Sequence, residues 1–100
     1  MERAVKLSYT AEKKLEHLFD ILVEKWSVKV KNDFIRKLDK CIGIIKVFPY
    51  SFPESEKEKG LRKCVITKQT TLYYKFDSTT INVVTIFDNR QNPANLEDDL

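Results

Sequence analysis

The chain has 100 residues, 42% of them hydrophobic and 33% charged, with 2 Gly and 3 Pro. That composition belongs to a globular protein and excludes a disordered chain, a collagen-like chain and a flexible linker. One domain spanning 1–100 is expected, able to bury roughly 65% of its unfolded surface without help from a metal or a disulfide. No apolar run approaches the ~20 residues that cross a bilayer. The opening MERAVKLSYT carries charges and a Tyr where a secretory signal has its apolar stretch. A soluble, cytoplasmic protein with no membrane attachment is the expectation.

The formal net charge of +3 is unevenly spread. Residues 1–93 hold all 18 Lys and Arg but only 12 of the 15 Asp and Glu, a net +6, and Glu97, Asp98 and Asp99 bring −3 to the end. A basic body suits an anionic partner, either nucleic acid or an acidic protein segment. A well-solvated surface accounts for the same charge equally well.

Residues 3–8, RAVKLS, predict a short strand. Thr10 reads as the N-cap of a helix opened by Glu12 and Lys13. Leu15, Leu18, Phe19, Leu22 and Trp26 fall on one helical face, with Lys13, Lys14, Glu16, Asp20 and Glu24 largely off it. Ser27 is a second N-cap. Val30, Phe34, Leu38, Ile42 and Ile45, joined by Cys41, form the stripe of a second helix that ends near Val47, because Pro49 disfavours helix before it. Two amphipathic helices this closely joined form an antiparallel hairpin that needs a further layer to pack on.

Residues 49–60, PYSFPESEKEKG, form a charged loop. The period then changes. LRKCVIT (61–67), TLYYKF (71–76) and INVVTIF (81–87) are rich in β-branched and aromatic residues, joined by links of hairpin length. Alternation puts Leu72, Tyr74 and Phe76 on the core face and Thr71, Tyr73 and Lys75 on the other. The third of these strands is almost continuously apolar and so belongs at the centre of the sheet. ANLEDDL is a short acidic tail with room for one helical turn. The fold class is α+β: an N-terminal strand, an antiparallel helical hairpin, then a mainly antiparallel sheet of three further strands. The helices cover one sheet face, and the other is left open or covered by a partner.

No nucleophile elbow, phosphate-binding loop or dinucleotide fingerprint occurs in the sequence. His17, the single His, sits beside a helix stripe, where a structural role outweighs that of a general base. No metal or cofactor is expected. Cys41 and Cys64 read as small apolar residues rather than a disulfide. The basic residues remain: Arg62 and Lys63 open one strand, Arg90 follows the last, and Lys68 and Lys75 lie between. In a meander, Arg62 and Arg90 come close at one sheet edge and offer two planar forks to carboxylate or phosphate. The alternative is that they pair with Asp88 and the C-terminal carboxylates. Tyr73 reads as an exposed aromatic contact, or as cross-strand packing.

The order of strand, helical hairpin and charged loop, followed by GLR at 60–62, Leu-Tyr-Tyr at 72–74 and FDNRQNP at 87–93, resembles the RelE/ParE superfamily of type II toxins. The resemblance covers roughly residues 3–95. It implies a growth-inhibiting toxin of a bacterial toxin–antitoxin pair, of the kind associated with plasmid stabilization, wrapped by a cognate antitoxin. RelE-like members are ribosome-dependent mRNA endonucleases that use a basic cluster and often a C-terminal Tyr. ParE-like members lack the cluster and inhibit DNA gyrase. Here Thr71 stands where an Arg commonly opens the strand, Arg90 matches the Arg after the last strand, and residues 91–100 contain no Tyr. Losing one placed charge stabiliser costs on the order of 10²–10³ in rate. The resemblance therefore favours a ParE-like binder of gyrase, with Arg62, Lys63, Tyr73, Lys75, Arg90 and Gln91 contacting target or antitoxin. The alternative is a metal-independent mRNA endonuclease with Arg62 and Arg90 on the phosphate.

Overall fold

The computed structural model describes residues 2–100. The elements are β1 (Ala4–Leu7), α1 (Tyr9–Lys25), α2 (Val28–Val47), β2 (Arg62–Val65), β3 (Thr70–Phe76), β4 (Thr80–Asp88) and a single turn, α3 (Ala94–Glu97). The architecture is the expected α+β one. The four strands lie in the order β1-β4-β3-β2. β2, β3 and β4 pair antiparallel, and β1 pairs parallel with β4. β4, the apolar strand, is flanked on both sides as its composition requires.

Ser8, not Thr10, caps α1. Its extended backbone lets Oγ accept the Ala11 N–H at 3.0 Å, and its hydroxyl donates to the Val84 carbonyl at 2.6 Å. A cap that also ties the chain to β4 wins over a Thr two residues later, already inside the first turn. Ser27 caps α2 as expected, accepting the Val30 N–H at 3.1 Å. Trp26 departs from its assigned stripe. It is the C-cap of α1, beyond the helical repeat, and stands 71% exposed.

The main core lies between the hairpin and one sheet face. Ala11 and Leu15 from α1, and Phe34, Leu38 and Ile45 from α2, meet Cys64, Leu72, Tyr74, Ile81, Val83 and Ile86. Phe19 and Phe34 touch edge to face with ring centroids 6.2 Å apart. Buried Tyr74 donates its hydroxyl to the Pro49 carbonyl at 2.6 Å, which ties the end of α2 to β3. On β4, Ile81 and Val83 are buried at odd positions, but after them Ile86 takes the core face. A register shift opposite Tyr73 and Tyr74 causes the change of parity. One extra residue in β4 bends the strand and re-aims everything after it.

The other face is not open. Leu61, Tyr73, Phe87 and Leu96 form a second buried cluster with Val84 against it. Tyr73, expected as an exposed contact, is 8% exposed. The tail makes the difference: α3 turns back and lays Leu96 on the sheet. Alternation placed Tyr73 on the correct face, but no periodic signal marks a single returning leucine.

Candidate functional site

β1 ends at Leu7, opposite Val83. Beyond that point α1 takes the place of a strand beside β4. A groove of about 350 Å³ lies between them, with Lys13, Lys14, His17 and Leu18 on one wall and Ile86, Phe87 and Arg90 on the other. A second groove of about 430 Å³ runs from Leu22, Trp26, Val30 and Phe34 to Thr67 and Gln69 on the β2–β3 turn. Leu18, Thr70 and Arg90 line both, so the two form one trough with an apolar floor and a rim on which Lys13, Lys14, Lys37 and Arg90 outnumber Asp33 and Asp88.

The chain's own tail shows what this rim attracts. Lys14 Nζ contacts the Asp99 carboxylate, and Thr85 Oγ1 donates to Asp99 Oδ2 at 3.0 Å. Thr85 is fully buried, so its hydroxyl is committed to partners within the protein. Lys14 also stands 5.8 Å over the Phe87 ring, within the range where a cation gains from an aromatic face. Glu97 forms an ion pair with Lys57 at 3.7 Å. The acidic tail thus lies back on the basic body.

Arg90 and Gln91, both expected as contacts, line the first groove. The Arg90 guanidinium grips Asp88 with Nε to Oδ1 at 3.0 Å and an NH2 to Oδ2 at 2.8 Å, while its backbone N–H donates to the same carboxylate. These hydrogen bonds hold the Asp88 carboxyl below the usual carboxylate range and raise the Arg90 guanidinium. The Arg90 side chain remains 74% exposed.

The expected meeting of Arg62 and Arg90 does not occur. Arg62 pairs with Tyr74 on β3, whereas Arg90 follows Asp88, which pairs with Thr70. Those positions lie four residue steps apart along β3, roughly 13 Å. Antiparallel pairing of three strands puts the start of β2 and the end of β4 at opposite ends of β3. Arg62 donates to the carbonyls of Phe52 at 2.6 Å and Tyr50 at 3.3 Å, and approaches Glu54 at 3.6 Å. It fastens the loop before β2. Lys75 pairs with Glu58 of that loop at 2.9 Å, and the Lys63 amide donates to the Pro53 carbonyl at 3.1 Å. Both lie at the loop end, away from the trough.

Lys13, Lys14 and His17 were not among the expected site residues. Their spacing places them together on a flank of α1, but only the position of β4 turns that flank into a wall. Among the described residues no three His, Cys, Asp or Glu side chains gather as metal ligands, and no helix is long and apolar enough to cross a membrane.

The sequence profile of the ParE toxin of the parDE type II toxin–antitoxin system matches residues 5–93. The chain belongs to the ParE toxin family. Its fold is similar to that of the chromosomal ParDE toxin–antitoxin system from P. aeruginosa (TM-score 0.71, 11% identity, covering 87% of this chain and 96% of that one). It is also similar to the YoeB dimer from Staphylococcus aureus (TM-score 0.63, 14% identity, 87% and 97% covered). A third similar structure is the E. coli DinJ-YafQ toxin–antitoxin complex (TM-score 0.63, 12% identity, 90% and 96% covered). At these identities the likeness is one of fold. No curated protein matches the sequence significantly. As a ParE-family member the chain is a toxin of the RelE/ParE superfamily of type II toxin–antitoxin systems, and the superfamily resemblance drawn from GLR, Leu-Tyr-Tyr and FDNRQNP is correct.

Proposed function

We propose that this ParE-family toxin inhibits growth by binding DNA gyrase, without cutting RNA, and that a cognate antitoxin neutralises it by laying an acidic, amphipathic segment in the trough. The observation that carries the binding reading is the separation of Arg62 from Arg90. In-line attack of a 2′-OH needs cations converging on one phosphate. Here one arginine fastens a loop and the other is held by Asp88, at opposite ends of β3. The antitoxin reading is supported by the apolar floor, the basic rim and the carboxylate of Asp99 already resting on Lys14. An amphipathic helix or extended segment suits such a trough. In this reading Arg90 and Gln91, which line the first groove, contact the antitoxin segment, with Lys13 and Lys14 beside them.

Two assays with the purified full-length chain separate the targets. The first is gyrase supercoiling of relaxed plasmid. The second is primer extension on mRNA in a translating extract. Loss of supercoiling with intact transcripts is the expected result. Normal supercoiling together with new transcript ends at the ribosomal A site would replace the gyrase reading with the endonuclease one.

A further inference from the structure

Away from the trough, α2 and the edge strand β2 bring two sulfurs together. Cys41 Sγ and Cys64 Sγ are 2.7 Å apart, and Cys41 Sγ lies 3.9 Å from the Val65 carbonyl oxygen. Both cysteines are free. Apolar side chains in ordinary packing contact keep their heavy atoms ~3.5–4.0 Å apart, so two cysteines acting only as small hydrophobes would not sit this close. Cys64 is 1% exposed in the main core, whereas Cys41 is half-buried and packs against that core from its edge.

The pair is asymmetric. The Cys64 thiol donates a hydrogen bond to Cys41, and Lys40 adds a positive charge nearby; together they outweigh burial and bring the Cys41 thiol down to about 7. The same hydrogen bond and burial keep the proton on Cys64. Cys41 is therefore the more exposed and more readily ionised sulfur and Cys64 the buried one behind it, the arrangement in which a first thiol is oxidised and a second resolves it.

We propose that Cys41 and Cys64 form a reversible oxidation site for small hydroperoxides, closing to an intrachain disulfide that joins α2 to β2. The Cys41 thiolate attacks the terminal oxygen of the peroxide. The O–O bond breaks, and the leaving oxygen takes a proton and departs as water or an alcohol. The Cys64 thiol then attacks the sulfenic sulfur of Cys41; the S–O bond breaks, and water leaves with the Cys64 proton. Two thiols lose two electrons and two hydrogens, and the peroxide is reduced by the same two electrons. The bond closes the chain between residues 41 and 64, a segment that holds the end of α2, exposed Phe48 and Tyr50, and Arg62 with the loop it fastens. Confining that segment in the unfolded chain favours the folded form.

The test uses the reduced full-length protein, treated with a small excess of hydrogen peroxide, then unfolded in denaturant and quenched with iodoacetamide so that every free thiol is exposed to the reagent. The wild type is expected to lose the mass of two hydrogens, to take up no alkyl group on either cysteine by peptide mapping, and to run as a single chain without reductant. Dithiothreitol should restore two alkylations. The oxidised form should melt higher than the reduced form by roughly 5–15 °C. Cys64→Ala should stop at a sulfenic acid on Cys41 that dimedone labels, and Cys41→Ser should gain no oxygen from peroxide, take no dimedone label and keep one alkylatable thiol. Because the wild-type result stands alone, a Cys64 variant that fails to fold leaves the test decisive. Two alkylatable thiols after peroxide, a disulfide between chains, or sulfinic acid on Cys41 beside an intact Cys64 would each overturn the proposal.

Discussion

Asp99 rests on Lys14, although 85 positions separate them in the chain. The contact brings the last acidic residue to the first helix, and Thr85 of β4 completes it. It links the two features that composition alone made conspicuous, a basic body and an acidic end.

Removing that carboxylate should loosen the tail. Asp99 is the less exposed partner, and the Thr85 hydroxyl loses an acceptor when it goes. Asp99→Ala should lower unfolding free energy by about 1–2 kcal/mol, read as a shift in the urea midpoint at unchanged slope. A midpoint equal to wild type would assign the contact no part in holding the tail.

Leu96 is the apolar half of the same attachment. It packs on Tyr73 and Phe87 with little exposure. Leu96→Ala should cost about 2–4 kcal/mol and sharpen quenching of tyrosine fluorescence by acrylamide as Tyr73 becomes accessible. If Tyr73 serves the core, Tyr73→Ala should destabilise the fold by a similar amount. A Tyr73→Ala protein of wild-type stability would return that residue to the surface.

The two arginines should behave oppositely. Arg62 is 20% exposed and satisfies two backbone carbonyls, so Arg62→Ala should destabilise by about 1.5–3 kcal/mol. Arg90 is an exposed surface pair with Asp88, and Arg90→Ala should leave the melting temperature close to wild type while weakening growth inhibition. Thermal melts and induced-expression assays on both variants distinguish the roles; equal loss of stability in the two would contradict the division.

The Asp88–Arg90 pair also fixes a pH dependence. The Asp88 carboxyl is depressed by the Arg90 hydrogen bonds from an ordinary 3.8. Its contribution is therefore present above the unfolded value and lost as pH falls through the folded one. Melting temperature should be flat in this respect from pH 7 to about 5 and decline below about 4. Asp88→Asn should make that acid decline shallower. An identical acid profile in Asp88→Asn would remove the pair from acid stability.

Much of the architecture was legible in the order of residues because it is local. Ser27 caps its helix, Pro49 stops it, and the stripe Phe34, Leu38, Ile42, Ile45 repeats within one helix. The third long strand is apolar because both its faces are covered, one by the helical hairpin and the other by the Leu96 cluster. Period and capping are short-range, so the sequence carries them on its face. The superfamily was legible too, in GLR, Leu-Tyr-Tyr and FDNRQNP taken in order.

What only the tertiary structure decided depends on residues far apart in the chain. Ser8 prevailed over Thr10 because β4 supplied a carbonyl 76 positions away. Tyr73 was buried by one returning leucine, and the arginines were parted by the antiparallel pairing of β2, β3 and β4. The wall formed by Lys13, Lys14 and His17 exists only where α1 runs beside the unpaired end of β4. Periodicity assigns a face to each side chain, but which distant segment covers that face is settled by packing the whole chain at once.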